Sequence, residues 1–380
     1  MVNQKHVVLV YKDFYPPIRG GIEYHIADIV KGLKYRYRFT VLVQNQGLRT
    51  KKEQQGNVTI IRTGQFGRFQ SAPFAPRLIT YFKRLKPDLW HFHLPNPTAI
   101  IAYSIAKPKL GKVLVTYHSD IIRQKSLGCL YKPLLLHFLK KKANLILATS
   151  PQYVKSSFVL KLFSSKVKIA SLGMNPPVFW QAQTVLAKSS AIRKANKSSI
   201  ILFIGKLRYY KGLDVLLKAM VGLNAKLIIV GHGTKQKELK HMCIDLGIEN
   251  RVQFTGEVSE KQKWAYLQAA DIFCLPSKYR SEAFGIAQIE AQWAGLPIVT
   301  TELNTGTSFV TLHKKTGLVV PPSDVKALNI ALSNLLSNIE LRQKYGEAGR
   351  QRAESEFSLA QMLSRLEVHY HNLCSANTYN

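Results

Sequence analysis

Short, uninterrupted apolar runs recur along the chain, and each is followed by a turn and a helical segment. They include His6–Tyr11, Lys112–His118 and Leu145–Thr149 in the first half, and Ile200–Gly205 and Lys226–Val230 in the second. Runs of this kind are typical of parallel strands whose sheet is covered by helices on both faces. Strand and helix are expected to alternate throughout, since no hairpin signal of the Asn-Gly type interrupts them. The sequence therefore predicts an α/β protein made of Rossmann-like, doubly wound sheets.

Chain length and a break in this alternation predict two domains. A chain of 380 residues exceeds one core of roughly 150–200 residues. Residues 175–198 are rich in Pro, Ser, Ala and Lys and lose the apolar periodicity. We expect a first domain at 1–175, a linker at 176–198 and a second domain at 199–357. A C-terminal helix at 358–380 is expected to pack back on the first domain.

The sequence has few features of export, membrane insertion or metal binding. Its first apolar run is too short for a signal peptide, and no stretch has 18 uncharged apolar residues. The four cysteines, Cys129, Cys243, Cys274 and Cys374, form no CxxC pair, so we expect reduced thiols. A cytoplasmic protein that is not integral to the membrane is predicted.

Charge is the strongest compositional signal, because the net charge is +32. Residues 1–175 carry 29 basic and 6 acidic residues, a net charge of +23, against +9 for the remainder. The candidate partners are nucleic acid, an acidic membrane face and a phosphorylated substrate, although a basic surface that only aids solubility is the simpler alternative. Lys34–Arg38 and the basic amphipathic helix Tyr131–Lys142 are candidate membrane elements. An ordinary core-packed helix with a cationic end also fits the second.

The stretch Ser281–Glu290 has the composition of a ligand site. Glu282 and Glu290 flank Phe284-Gly285-Ile286, where a buried strand gives way to a helix. A glycine at a helix start lets backbone N–H groups approach an anion, and an ionised carboxylate on each side accepts hydrogen bonds from hydroxyl groups. This pattern suggests a phosphate between hydroxyl groups, as in a nucleotide sugar. Two solvated glutamates around a helix start are the alternative.

Other candidates lie in the first half of the chain. Gly20-Gly21 follows the first strand as a weak phosphate-loop signal, which a plain turn also explains. His118 ends a predicted strand, at the edge where α/β folds bind ligands, although a structural role fits too. His91 and His93 share a strand face, but no third ligand stands nearby in the sequence, so we predict no metal site.

The second half resembles the retaining glycosyltransferases of family 4, which have the GT-B fold of two Rossmann-like domains facing across a cleft. The resemblance covers residues 200–355. It rests on an ordered set of segments: FIGKL with Lys211-Gly212, IVGHG, VQFTG, the E-x7-E spacing of Glu282 and Glu290, and TGLVVP. The first half fits through Gly20-Gly21, His118 and Thr149-Ser150. Within the family, HFHLPNP and TYHSDIIRQK are similar to bacterial enzymes that add mannose or rhamnose to surface polysaccharides.

The resemblance implies a role for each candidate residue. Gly20 and Gly21 would lie against the donor diphosphate, which Lys206 and Lys211 would neutralise. The family usually has arginine at the position of Lys206, so Arg208 is expected to compensate. Four further contacts complete the implied site: Glu282 and the backbone of Phe284, Gly285 and Ile286 on the transferred sugar, Glu290 on the ribose, Val258 near the base, and His118 on a sugar hydroxyl.

The resemblance also implies substrates and partners. The donor would be GDP-mannose or a UDP-sugar, and the acceptor a glycan or a polyprenyl-diphosphate-linked glycan at the inner face of the plasma membrane. No cofactor is expected, and the sequence lacks an Asp-x-Asp motif. A sugar-nucleotide epimerase of the same fold and a nucleic-acid-binding protein are the alternatives. The second is disfavoured because only Lys34–Arg38 combines basic and aromatic residues compactly.

Overall fold

A computed structural model describes residues 4–18, 20–45, 47–69, 72–121 and 125–375, with backbone only at 68–69, 72–73 and 125–130. The chain forms two compact units. The first comprises Met1–Leu172 and Leu359–Asn380, and the second is Gly173–Ser358. Each unit has its own core of buried aliphatic and aromatic side chains. None of the helices in the described part of the chain has the length and apolar character that a bilayer crossing requires.

The first unit contains an eight-stranded sheet in the order β10-β9-β8-β7-β1-β2-β4-β3. All neighbours are parallel except the β3–β4 pair at one edge. A separate two-stranded hairpin consists of β5 and β6. The strands are β1 (His6–Val10), β2 (Arg38–Gln44), β3 (Lys51–Gln55), β4 (Val58–Thr63), β5 (Arg68–Phe69), β6 (Ala72–Pro73), β7 (Leu89–Leu94), β8 (Lys112–Tyr117), β9 (Leu145–Ala148) and β10 (Val167–Ile169).

Helices cover both faces of this sheet, and one of them comes from the end of the chain. They are α1 (Gly21–Leu33), α2 (Arg77–Arg84), α3 (Pro97–Ala106), α4 (Lys125–Lys141), α5 (Pro151–Ser156), α6 (Phe158–Leu162) and, after the second unit, α15 (Leu359–Ser375). Helix α15 packs on α1 and β7, and its buried residues Met362, Leu366, Tyr370 and Cys374 belong to the first unit's core.

The second unit is a six-stranded parallel sheet in the order β13-β12-β11-β14-β15-β16, the 3-2-1-4-5-6 order of a Rossmann fold. The strands are β11 (Ser199–Ile204), β12 (Ala225–Val230), β13 (Val252–Gly256), β14 (Ile272–Leu275), β15 (Ile298–Thr301) and β16 (Gly317–Val320). The helices are α7 (Gln183–Ala195), α8 (Leu213–Ala219), α9 (Gln236–Asp245), α10 (Glu260–Ala269), α11 (Ile286–Trp293), α12 (Thr307–Val310), α13 (Val325–Ser337) and α14 (Ile339–Glu356).

Two predicted features differ from this architecture. The predicted linker at 176–198 is folded, because most of it forms α7, which packs on α10 with Val185 fully buried. The expected strict alternation is wrong at 51–63, where β3 and β4 form an antiparallel hairpin around Gly56-Asn57. Gly56 has a positive φ of 60° there, so the turn uses glycine before asparagine rather than after it.

Much of the apolar face of the basic helix Tyr131–Lys142 is packed in the core, as in the core-packed alternative, and contact of its exposed lysines with a membrane stays a prediction. Tyr131, Leu135, Phe138 and Leu139 on its apolar face are at most 6% exposed, because α4 packs on α3. Its cationic end, Lys140 and Lys141, lies in the last turn, where positive charge stabilises a helix C-terminus.

Candidate active site

Both sheets have a topological switch point, and the predicted site residues gather at these points. In the second unit β11 lies between β12 and β14, so the loops that leave β11 and β14 diverge to opposite sides. In the first unit β1 lies between β2 and β7 in the same way. A doubly wound fold binds ligands in the crevice that such diverging loops leave open at the carboxyl ends of the strands.

At the second switch point, Lys211 and Glu282 form a buried ion pair. Lys211 lies in a 3-10 turn after β11, and Glu282 lies between β14 and α11. Lys211 Nζ is 2.5 Å from Glu282 Oε2, and the two side chains are 11% and 10% exposed. Burial opposes the charge on Lys211, but the Glu282 carboxylate outweighs it and raises the pKa of Lys211 above its usual value. The positive charge of Lys211 and the negative charge of Glu282 therefore lie together in a buried position at this switch point.

Local backbone geometry brings this pair together. Gly212 has a φ of 68°, and a Cβ on it would lie 1.9 Å from the Pro276 carbonyl oxygen, so only glycine lets the Lys211 turn pack against the end of β14. Glu282 is fixed by its own neighbours: Ser277 Oγ donates to its Oε2 at 3.1 Å, and Thr305 Oγ1 donates to its carbonyl at 2.8 Å. The carboxylate is thus preorganised.

Helix α11 begins directly after this carboxylate. Gly285 caps it in the left-handed conformation with φ 81°, and Ile286 is its first residue. Phe284 is 4% exposed and packs on Phe357, which leaves backbone rather than side chains to line this turn. The first N–H groups of a helix carry partial positive charge and bind anions or polar oxygens. The structure thus places Phe284, Gly285 and Ile286 beside Glu282, as the sequence suggested.

Glu290 lies on the same helix and has a cationic partner that the sequence did not reveal. Lys263 of α10 contacts Glu290 Oε1 at 2.6 Å and Glu260 Oε2 at 2.8 Å. Burial opposes the charge on Lys263, but these two carboxylates raise its pKa above the ordinary value. Glu290 is therefore held in place by Lys263, with one carboxylate oxygen assigned to that contact.

Backbone hydrogen bonds connect the cationic loop after β11 to the loop after β12, and that loop to the end of β13. Leu207 N donates to the His232 carbonyl at 3.0 Å, and Gly231 N donates to the Gly256 carbonyl at 2.8 Å. Lys206 and Arg208 are exposed, in contrast to Lys211. Val258 is half-buried, two residues beyond Gly256. The five predicted residues Lys206, Arg208, Lys211, Val258 and Glu282 thus share the carboxyl edge of one sheet.

In the first unit, Gly20 and Gly21 begin α1 at the carboxyl end of β1. Gly20 adopts an extended backbone as the N-cap residue. A Cβ on Gly20 would lie 2.2 Å from Glu23 Oε2, and Glu23 is 8% exposed. A side chain at position 20 would therefore require the Glu23 carboxylate to move.

His118 lies in a cluster of three buried histidines, together with His25 and His93. The three residues are 4%, 7% and 0% exposed. His93 Nδ1 lies 3.0 Å from His118 Nε2, at hydrogen-bonding distance, and the His25 ring is 5.6–5.7 Å from both of the other rings. Burial lowers the pKa of His25 to about 4, and burial with neighbouring histidines lowers the pKa of His118 and His93 well below 6.5. All three are neutral near pH 7.

The three histidines His25, His93 and His118 are placed so that they could bind a metal ion together. Each histidine offers one ring nitrogen, and these atoms lie within 4.8 Å of one another. In the described part of the chain, His93 Nε2 is buried without a hydrogen-bond partner. The pair considered from the sequence is not the one assembled, since His91 Nδ1 and Nε2 contact Tyr370 Oη at 2.8 Å and Thr116 Oγ1 at 2.7 Å. The absence of a metal stays a prediction.

Sequence reasoning missed Glu23, His25 and Lys263. Glu23 and His25 could have been noticed as polar residues on the buried side of α1, beside Ile26 and Ile29. Lys263 offered no such signal, because its partner Glu290 is 27 residues away on another helix.

Comparison with known proteins identifies the class of protein that this fold and site define. The sequence model of a family described as "Glycosyl transferases group 1" matches residues 187–352, and that of "Glycosyltransferase Family 4" matches residues 19–170. The two matches correspond to the second and first units in turn. The chain belongs to this glycosyltransferase family and is an enzyme that transfers sugars.

Two relatives support this assignment over most of the chain. The O-antigen chain mannosyltransferase C of Escherichia coli is 34% identical over 360 residues, covering 94% of this chain and 95% of the relative. The D-rhamnosyltransferase WbpZ of Pseudomonas aeruginosa is 35% identical over 290 residues, covering 76% and 75%. Both matches lie at the level where shared family membership is secure.

The fold agrees with that of solved glycosyltransferases. The sucrose-phosphate synthase of Thermosynechococcus elongatus has a TM-score of 0.79 at 20% identity, with 98% of this chain and 100% of that chain covered. At that identity the likeness supports the fold alone. The predicted GT-B class, with two Rossmann-like domains, is confirmed.

Proposed function

We propose that the protein is a retaining hexosyltransferase that moves mannose from a nucleoside-diphosphate sugar to a lipid-linked glycan during O-antigen or related surface polysaccharide assembly. The observation that carries the proposal is the buried Lys211–Glu282 pair beside the start of α11, because it combines a cation for phosphate with a carboxylate for sugar hydroxyls. The choice of mannose is supported by the 34% identity to an O-antigen mannosyltransferase over 94% of this chain.

The charges of the site suit the bond that must break. Cleavage of a glycosyl–phosphate bond builds negative charge on the departing diphosphate and positive charge on the sugar ring. Lys206, Arg208 and Lys211 would stabilise the diphosphate. Glu282 would accept hydrogen bonds from the transferred sugar and stabilise its positive charge. Because a charged group that is already oriented needs no reorganisation during the reaction, the fixed position of Glu282 favours catalysis.

The remaining contacts assign specificity. Glu290 would accept hydrogen bonds from the ribose hydroxyls through the oxygen that Lys263 leaves available, and Val258 would approach the base. His118 is neutral near pH 7, because burial with His25 and His91 lowers its pKa. A neutral imidazole can accept or donate one hydrogen bond, which suits contact with a sugar hydroxyl. The donor is GDP-mannose in this proposal, with UDP-sugars as the competing donors.

The acceptor is proposed to be a polyprenyl-diphosphate-linked glycan at the inner face of the plasma membrane, to which the protein attaches peripherally. The concentration of positive charge in residues 1–175, a net +23, supports this placement. Each basic residue near an anionic leaflet contributes about 1 kcal/mol of binding free energy, so several together suffice for attachment.

A screen of nucleotide sugars followed by product analysis tests the proposal. A donor nucleotide at about 100 times its Kd should stabilise the protein by about 2.7 kcal/mol, which appears as an increased melting temperature. GDP-mannose should give the largest increase in melting temperature. A mannosylated product should form when a glycan acceptor is added, and GDP-mannose should remain unconverted without it. Conversion of the nucleotide sugar without an acceptor would identify an epimerase instead, and absence of both shift and product would refute the proposal.

A further inference from the structure

An exposed apolar patch lies on the first unit, at the carboxyl ends of β2 and β4. Leu48, Phe66 and Phe74 are 62%, 61% and 65% exposed, and the two phenylalanine rings lie 6.3 Å apart. We call this surface the rim patch, and it includes the neighbouring exposed cations Arg49, Lys51, Lys52 and Arg77. Exposed apolar groups that cluster in this way mark interaction surfaces more often than isolated ones do.

The rim patch consists of three chain segments, 47–52, 64–66 and 74–77, which are joined by hydrogen bonds. Phe66 N donates to the Phe74 carbonyl at 2.9 Å, and Gln65 N donates to the Gly47 carbonyl at 3.0 Å. Arg77 extends this connection by donating to the Leu48 carbonyl at 3.4 Å. A Cβ on Gly64 would lie 1.8 Å from the Leu48 carbonyl oxygen, so the loops approach as closely as glycine allows. The patch is therefore a preformed surface.

The rim patch has the charge that an anionic surface would attract. Residues 47–77 carry six basic residues and one acidic residue, Glu53. Apolar and aromatic side chains surrounded by lysine and arginine are typical of segments that enter the headgroup region of an anionic bilayer. A protein partner of ordinary composition gives no comparable reason for this excess of positive charge.

The position of the patch also suits a lipid-linked acceptor. Arg62, at the end of β4, donates to the Pro16 carbonyl at 2.6 Å, which ties this edge to the loop that leads to Gly20. The segment Lys34–Arg38 lies at the amino end of β2, and at 3.3 Å per residue the seven residues of β2 separate the two surfaces by roughly 20 Å. In the described part of α4, the other membrane candidate, the apolar residues Leu135, Phe138 and Leu139 are buried.

We propose that the rim patch docks the enzyme on the surface of an anionic phospholipid bilayer, with Phe66 and Phe74 in the headgroup region. The inference rests on the proposed function, since a lipid-linked acceptor requires the active-site edge of the first unit to face the membrane. The inference specifies the rim patch as the surface that contacts the membrane, rather than the amino edge of the sheet or the buried residues Leu135, Phe138 and Leu139 of α4.

Vesicle co-sedimentation of the full-length protein tests this inference. Wild-type protein should bind vesicles of phosphatidylcholine with phosphatidylglycerol and bind phosphatidylcholine alone only weakly. Phe66→Ser with Phe74→Ser should lower the partition coefficient about tenfold or more, because two apolar side chains leave the bilayer. Arg49→Ser with Lys51→Ser should lower it to a similar extent. All variants should keep the wild-type melting temperature, since each change is at an exposed position.

Matched controls lie at the opposite edge of the same sheet. Tyr35 is 79% exposed and Lys31 is exposed in the last turn of α1, so Tyr35→Ser and Lys31→Ser should bind vesicles as the wild type does. The inference is overturned if wild-type protein ignores anionic lipid, if the control variants lose as much binding as the patch variants, or if light scattering shows a dimer that the phenylalanine changes dissolve.

A separate assay distinguishes this inference from the proposed function. Transfer to a water-soluble acceptor, a glycan with a short alkyl group in place of the polyprenyl chain, needs no membrane. The patch variants should keep wild-type turnover there and lose it on the lipid-linked acceptor in vesicles. Failure of donor binding and of transfer to the soluble acceptor would refute the proposed function while the vesicle assay still reports on the patch.

Discussion

Lys211 and Glu282 combine two roles, because each is a proposed ligand contact and also the counter-ion of the other. Removing one partner of a buried ion pair costs about 3–5 kcal/mol of folding free energy, since the remaining charge stays buried and unpaired. We therefore expect Lys211→Met and Glu282→Gln each to lower both stability and transfer, the transfer by about 10²-fold or more, as for loss of a transition-state contact.

The double variant separates these two effects. Lys211→Met with Glu282→Gln leaves no unpaired charge, so it should recover much of the unfolding free energy while sugar transfer remains as low as in the single variants. Urea unfolding and initial rates on the same preparations measure both quantities. Lys237→Ala, at an exposed position of α9, is the matched control. Recovery of activity along with stability would mean that the pair is structural and not part of the site.

The buried histidines predict a loss of stability in mild acid. Burial lowers the pKa of His25 to about 4, against about 6.5 in an unfolded chain. Between these values the unfolded state binds a proton that the folded state excludes, so the free energy of unfolding decreases as pH falls. From pH 7 to pH 5, His25 alone should cost about 2 kcal/mol.

Urea unfolding at the two pH values measures this loss. The His25→Gln variant should show a weaker pH dependence by about that amount, because glutamine does not titrate. His93 and His118 also have a lowered pKa, so some dependence should remain in the variant. Equal pH dependence in both proteins would show that His25 titrates as an exposed histidine.

Single residues were predictable from sequence where they follow a strand end, and not where they depend on a distant partner. His118 stands directly after one apolar run, and Glu282 lies in the loop that follows another. Strand direction therefore brings both residues to the ligand edge of their sheets. The pairing of His93 with His118 spans 25 residues, and that of His25 with Met362 spans 337 residues. The first contact comes from the pairing of β7 with β8, and the second from the packing of α15 on α1. Apolar periodicity specifies neither of these pairings.

At the scale of elements, the apolar strands were easily predicted and the surface helices less so. Parallel strands buried on both faces are recognisable as continuous apolar runs, and those at Ile200–Gly205 and Lys226–Val230 were placed to within a residue of β11 and β12. Helix α7 was assigned to a linker because its fully buried residue is Val185 alone, which leaves little periodicity. The β3–β4 hairpin escaped notice since β3, KKEQQ, is exposed throughout.

Helix α15 is an integral part of the first unit although it follows the second in sequence. Leu366 is 4% exposed in that unit's core, whereas Val368 is 55% exposed on the same helix. Leu366→Ala should therefore cost about 2–5 kcal/mol of unfolding free energy through loss of apolar contact and the cavity that remains. The exposed Val368→Ala should stay within about 0.5 kcal/mol of wild type.

Urea unfolding with hydrogen exchange would locate the effect. Amide protons of β1 and α1 should exchange faster in Leu366→Ala, since α15 packs on α1 and β7 and β7 pairs with β1. Amide protons of β11 and β12 should keep their protection, because they belong to the other unit. Faster exchange confined to β11 and β12 would contradict the assignment of α15 to the first unit.

For the whole molecule, the excess of basic over acidic residues favours stabilisation of a diphosphate by lysine and arginine rather than by a metal ion. The chain carries 54 basic and 22 acidic residues and has no Asp-x-Asp motif. Metal-assisted phosphate chemistry depends on carboxylates to hold a divalent cation against the phosphates. Since Lys206, Arg208 and Lys211 supply positive charge without a metal, we expect sugar transfer to proceed at the wild-type rate after EDTA treatment and dialysis.

The histidine cluster makes this a decisive experiment. His25, His93 and His118 have nitrogen atoms within 4.8 Å of one another, and imidazole nitrogen is a preferred ligand of zinc. If EDTA lowers transfer and zinc restores it while magnesium does not, the cluster binds a metal and His118 acts through it. If magnesium restores transfer, a carboxylate site has been overlooked. Unchanged rates under all three conditions, with no metal detected in the dialysed protein, would leave the cations of the second unit as the means of stabilising the leaving diphosphate.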